Sequence, residues 1–133
     1  MRLHVWVAAG GALLIPSVLA LEYANLSLLY TDAPFHPAEA AGISVLTELK
    51  AVEGYPDGSF HPERTLNRAE FLKIVLLSSP GLRVASADAE NCFPDVFAGD
   101  WFSRYICLAK KRGIVSGYPD GYFRPANSVN YAE

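Results

Sequence analysis

Apolar residues recur at close to helical spacing in three stretches of this chain, and each stretch carries its own start or stop signals. Over 37–50, "PAEAAGISVLTELK", Ala40, Ile43, Leu46 and Leu49 fall on one face, with Pro37 suited to the first helical position. Gly42 weakens that helix. In "LNRAEFLKIVLL" three local signals fix one boundary: Asn67 as N-cap, Glu70 at N3 reaching back to the cap amide, and Leu66 at N′ stapling onto Phe71 at N4. A third helix is expected after Asp100 as N-cap, with Trp101, Tyr105, Leu108 and Ala109 on one face, Lys110, Lys111 and Arg112 in the last turn and Gly113 at C′.

The polar breaks between these helices repeat. "GYPDGSFHP" begins at Gly54 and "GYPDGYFRP" at Gly117, 63 residues on, and from there to Glu70 and Glu133 ten of seventeen positions are identical. Upstream the same offset sets Asp32 on Asp95, Ile43 on Ile106 and Val52 on Val115. The unit is helix, turn, helix. Its copies cover 30–79 and 92–133, and 80–91, within "SSPGLRVASADAEN", reads as a linker. The second copy breaks off at "VNYAE", where Glu133 holds the N3 place of its second helix. A helix that stops there buries nothing, so a longer protein is expected and the last dozen residues are expected to be loose.

An apolar block comes before the repeats. In "MRLHVWVAAGGALLIPSVLA" Arg2 precedes a run from Leu3 to Ile15, Pro16 ends it, and Val18 and Ala20 stand at −3 and −1 of a signal-peptidase site. Residues 1–20 therefore read as a secretory signal cleaved after Ala20. A retained membrane anchor is the other reading, disfavoured by Gly10, Gly11 and Pro16. Both export the rest of the chain.

Composition then narrows the function. Eleven basic and fourteen acidic residues give a net charge of −3, with no basic run to track a phosphate backbone, so nucleic acid is excluded as the expected partner. Cys92 and Cys107 are too few for a structural zinc site, and export favours a disulfide between them over two free thiols. Each turn phrase has one carboxylate, Asp57 or Asp120, which is too few for calcium. Pro-Asp-Gly suits positions i+1 to i+3 of a type I turn instead. Phe60 and Phe123 read as core, Tyr55, Tyr118 and Tyr122 as rings beside the bend, and Trp101 as core on its helical spacing, with a groove role left open. There is no nucleophile–base set or Gly-rich phosphate loop, so neither an enzyme nor a cofactor is expected.

"FPDVFAGDWFSRYICLAKKRGIVSGYPDGYFRPANSVNYAE" resembles an S-layer homology (SLH) domain, and "HPAEAAGISVLTELKAVEGYPDGSFHPERTLNRAEFLKIVL" resembles a second, with "NRAE" at 67–70 in place of the usual Thr-Arg-Ala-Glu. The resemblance implies an all-α fold of tandem helix-turn-helix repeats forming part of a pseudo-threefold prism. It also implies a non-catalytic anchor at the cell surface, cell wall or S-layer that binds cell-wall polysaccharide, often one bearing pyruvate ketals. Other readings are an envelope protein that assembles a lattice through self-association, and the anchor of a surface enzyme lying beyond Glu133. Further SLH repeats in the parent chain are expected. Arg68, at N1 beside free N1–N3 amides, is the sharpest candidate for a ketal carboxylate, in line with the resemblance; a structural ion pair is the plainer alternative. The expected ligand-binding set is Arg68, Asn67, Tyr55, Asp57, Trp101, Tyr118, Asp120 and Tyr122. Two departures from the family pattern stand out: Tyr131 replaces the motif arginine in the second copy, and the first copy lacks the opening tryptophan.

Overall fold

The computed structural model describes residues 29–32 and 36–129; the leader expected over 1–20 and the helix start at 130–133 lie outside them. Among the described residues three helices carry the fold, α1 (Pro37–Glu48), α2 (Arg68–Ser78) and α3 (Ser103–Lys111), with a short 3₁₀ turn at Ser86–Asp88. Among the described residues there are two isolated bridges and no strand, so the fold is all-α.

Helix α1 starts at Pro37, with His36 as cap: the Glu39 carboxylate accepts from the His36 amide at 3.1 Å, and His36 Nδ1 accepts from the Ala38 amide. Its exit uses the same device as that of α3. Ala51 N–H donates to the Leu46 carbonyl and Lys50 N–H to that of Thr47, as Ile114 does to Ala109 and Gly113 to Lys110. This double closure needs a left-handed residue at C′. Gly113 has φ +68° there, and Lys50, 63 positions earlier, has φ +54°. A side chain in that region costs roughly 1–2 kcal/mol, partly offset in glycine by lost chain entropy. Lys50→Gly is therefore expected to raise stability by about 0.5–1 kcal/mol, read as a higher denaturation midpoint; an unchanged or lower midpoint would refute it.

Helix α2 begins with the expected capping box, Glu70 N–H on Asn67 Oδ1 at 2.9 Å and Asn67 N–H on Glu70 Oε2 at 3.0 Å. Helix α3 starts later than expected. Asp100 does not cap it, because its carboxylate is taken by the Phe97 amide at 2.9 Å inside the preceding loop, and Phe102 stands at the N-cap without a side-chain bond. Trp101 consequently precedes the helix, out of register with the buried face of Tyr105, Leu108 and Ala109, and is 51% exposed instead of core. Leu49, expected on the same face as Ala40 and Ile43, is likewise 45% exposed.

The main core joins the two copies. Ala69, Leu72 and Leu76 of α2 pack with Tyr105, Ile106 and Ala109 of α3 and with Phe93, Val96 and Phe123 of the second copy. A smaller cluster of Tyr30, Ala40 and Ile43, with Phe60 against it, serves the first. Leu82 and Val84, within the stretch expected as linker, lie against the main core. A disulfide joins Cys92 to Cys107, with Cα atoms 5.5 Å apart.

Candidate functional site

Each Gly-Tyr-Pro-Asp-Gly phrase folds as a tight turn. Gly58 N–H donates to the Tyr55 carbonyl at 2.9 Å and Gly121 N–H to that of Tyr118 at 2.8 Å, placing Pro-Asp-Gly at the expected turn positions. Gly58 and Gly121 then take φ near +82° and +85°, where glycine carries no Cβ penalty. At the head of each phrase a side chain is excluded for another reason. A Cβ on Gly117 would meet the Phe93 ring and the Tyr122 carbonyl at 2.9 Å, and one on Gly54 would meet the Tyr30 ring at 2.7 Å.

A carboxylate ties each turn to the start of its own copy. Asp32 accepts from the Phe60 and His61 amides at 2.9 and 2.7 Å, and Asp95 accepts from those of Phe123 and Arg124 at 2.9 and 2.6 Å. The 63-residue identity of Asp32 and Asp95 was the signal for this clasp, although the spacing alone assigns no partner. At Asp32 desolvation pushes the carboxyl upward, but the amides of His61 and Phe60 outweigh it and hold the group below its ordinary value. The Ser59 hydroxyl and amide lower Asp57, and the Tyr122 amide with Arg124 lowers Asp120. Those two acids thus shape their turns.

The exit of the second turn runs across the start of α2. Arg68 N–H donates to the Asn127 carbonyl at 2.8 Å, Ala69 N–H to that of Pro125 at 3.1 Å, and Val129 N–H to that of Leu66 at 3.4 Å. Residues 123–129, expected to be loose, are held there. With Glu70 N–H on Asn67, the N1–N3 amides expected to be free are each engaged, because the neighbouring copy supplies carbonyls to the helix start. Arg68 itself reaches into the second copy. Its Nε donates to the Phe123 carbonyl at 3.1 Å, and its guanidinium lies 4.8 Å from the ring centres of both Tyr118 and Phe123. Arg124 covers Tyr118 at 4.7 Å and pairs with Asp120.

A groove of about 810 Å³ is lined by residues of both copies, including the first turn. Ile43 and Leu46 of α1, Tyr55 and His61 of the turn, Lys73 of α2 with Arg64 before it, and Arg104 of α3 with Trp101 before it line the groove. Arg64 pairs with Glu70 and sits over the Tyr55 ring at 5.5 Å; the His61 ring meets Tyr55 edge-on at 5.1 Å. The expected site residues therefore divide. Tyr55 and Trp101 share the groove, whereas Arg68 and Tyr118 meet across the seam between copies, where Asn67 bridges to Ser128, and Asp120 stays in the second turn, paired with Arg124. Asp57 is in the first turn, and Tyr122 is 45% exposed beside the second. Arg64 and Arg104 were missed, since neither position repeats at the offset. An exposed indole beside guanidinium groups offers a flat apolar surface for a sugar ring and charge-assisted donors for its oxygens. Among the described residues no cluster of three or more His, Cys, Asp or Glu can hold a metal.

Two tandem units, each a helix followed by a clasped Gly-Tyr-Pro-Asp-Gly turn, the first running on through the capped α2 that packs on the second, define a repeat-built, all-α surface module. The S-layer homology domain matches residues 29–72 and 93–133, and the chain belongs to that family. It is 32% identical to a surface layer protein of Brevibacillus choshinensis over 90% of this chain and 11% of the relative. It is 33% identical to a cellulosome-anchoring protein of Acetivibrio thermocellus over 82% of this chain and 25% of the relative. A middle cell wall protein of Brevibacillus brevis is 34% identical over 88% of this chain and 11% of the relative. The chain thus spans a quarter or less of the length of these relatives. The family belongs to the cell surface and cell wall, and so does this chain.

Proposed function

We propose that this chain anchors an exported protein to the cell envelope by binding an acidic cell-wall polysaccharide, such as a pyruvylated polymer, in the groove between its two copies. The observation that carries this reading is Trp101, half exposed in a groove that also holds Tyr55, Arg64 and Arg104. Tyr55 and Trp101 contact the sugar, while Arg68, Asn67 and Tyr118 hold the seam that sets one copy against the next, and Asp57 and Asp120 shape the turns. By the internal repeat, Tyr118 and Tyr122 at the second turn would face the first helix of a further repeat, and three such units would close the prism.

The test uses the full chain and wall sacculi with and without their polysaccharide. Binding is expected only to the former. Trp101→Ala is expected to weaken it about tenfold or more, the scale of a lost ring-stacking contact, without lowering the melting temperature. Equal binding by Trp101→Ala and the wild type would remove the groove from the reading, and wild-type binding to stripped sacculi would remove the polysaccharide.

A further inference from the structure

The cations of the groove are not equally available. Arg64 is paired with Glu70, and His61 lies 3.2 Å from Glu63 and 4.0 Å from Asp57. Lys73 and Arg104 have no carboxylate partner among the described residues. Of these two, Arg104 is the one held in place. Its Nη2 donates to the Tyr105 hydroxyl at 2.8 Å and its guanidinium lies 4.8 Å from the Tyr105 ring centre. Tyr105 is buried and also meets the edge of Trp101, with ring centres 6.4 Å apart. Trp101 and Arg104 therefore flank one fixed ring. A guanidinium has five N–H donors, and the Tyr105 hydroxyl uses one, which leaves enough for a two-point grip on a carboxylate. A lysine ammonium such as that of Lys73 cannot form that planar fork.

We propose, resting on the groove reading above, that Arg104 is the specificity-determining residue of this site: it pairs with the carboxylate of an acidic sugar whose ring lies on Trp101. The pair exists in the second copy alone, since Ala38 and Ala41 occupy the corresponding positions of the first. Arg68, with its guanidinium between Tyr118 and Phe123, serves the seam.

The deciding experiment measures binding of the full chain to polysaccharide-bearing sacculi across a salt series. It is repeated on the same sacculi after their carboxylates are converted to amides. On the acidic sacculi Arg104→Gln is expected to lower affinity about tenfold and to flatten the salt dependence, and Arg104→Lys to recover part of the loss. On the amidated sacculi wild type and Arg104→Gln are expected to bind alike. Should Arg104→Gln lower the melting temperature, Arg104→Lys, which keeps the charge and the stem, decides: full wild-type affinity in that variant would show that no fork is needed. Binding by Arg104→Gln equal to wild type on acidic sacculi, with Trp101→Ala still impaired, would overturn the role of Arg104 and leave the groove reading standing. Failure of the wild type to bind either preparation would overturn both.

Discussion

Asp95→Ala is expected to destabilise the protein by about 3 kcal/mol, because it removes two charge-assisted hydrogen bonds at about 1.5 kcal/mol each. The Asp95 carboxylate takes the Phe123 and Arg124 amides at 2.9 and 2.6 Å. Phe123 is 1% exposed, so the turn that these bonds hold also carries a ring of the main core and the carbonyl that receives Arg68. For a folded unit of this size the loss corresponds to a fall in melting temperature on the order of 10–20 °C. Asp32→Ala makes the parallel cut in the first copy, but Phe60 is only partly buried, and the smaller cluster beside it has fewer buried side chains to lose. It should cost clearly less. Denaturant unfolding of both variants checks this, and a loss at Asp95 below about 1 kcal/mol, or one no larger than at Asp32, would contradict the clasp as the main tie of the turn.

How far the sequence discloses this molecule depends on how local each determinant is. The capping box that starts α2 was legible: Asn67 and Glu70 satisfy each other's amides within four residues, and nothing distant competes for those groups. The start of α3 was not, although Asp100 precedes an apolar periodicity, since the same carboxylate can serve the Phe97 amide inside its own loop and the backbone there favours that bond. A helix start two residues later than the periodicity predicts leaves Trp101 outside the buried face. Arg68 shows the third case. Its position at N1 was plain, but its hydrogen-bond partner, the Phe123 carbonyl, lies 55 residues downstream. Only the packing of one copy on the next brings the two together. The carbonyls of Pro125 and Asn127 reach the helix start by the same long-range route and close amides that looked open. Trp101 and Tyr55 were named as candidates, but the two cations beside them were not, because Arg64 and Arg104 fall at positions where the copies differ and repeat identity carries no signal. The turn and clasp common to the two copies are thus written in their repeated residues, whereas Trp101, Arg64 and Arg104 enter the groove from positions that do not repeat.

Removing the bridge with a Cys92→Ala, Cys107→Ala double substitution, or reducing it, is expected to cost about 3 kcal/mol, the chain-entropy value for a loop of about 15 residues. The position of the bridge predicts where that loss appears. Cys107 is 0% exposed on α3, and Cys92 directly precedes Phe93 and is three residues from Asp95. The bridge therefore fastens the strip that carries the second clasp to the helix that packs on α2. In the first copy Leu29 and Ser44 occupy the matching positions, so the Asp32 clasp works without a covalent tie. Reduction should accordingly loosen one turn and spare the other. In hydrogen exchange, the Phe123 and Arg124 amides are expected to lose protection on reduction, while those of Phe60 and His61 keep theirs. Uniform loss of protection at both turns would mean that the copies unfold as one unit, and a stability change under about 1 kcal/mol would mean that the core around Ile106 and Val96 already holds the strip unaided. The double variant is the control for the reductant, since it should reproduce the exchange pattern of the reduced protein and show no further response to a dithiol.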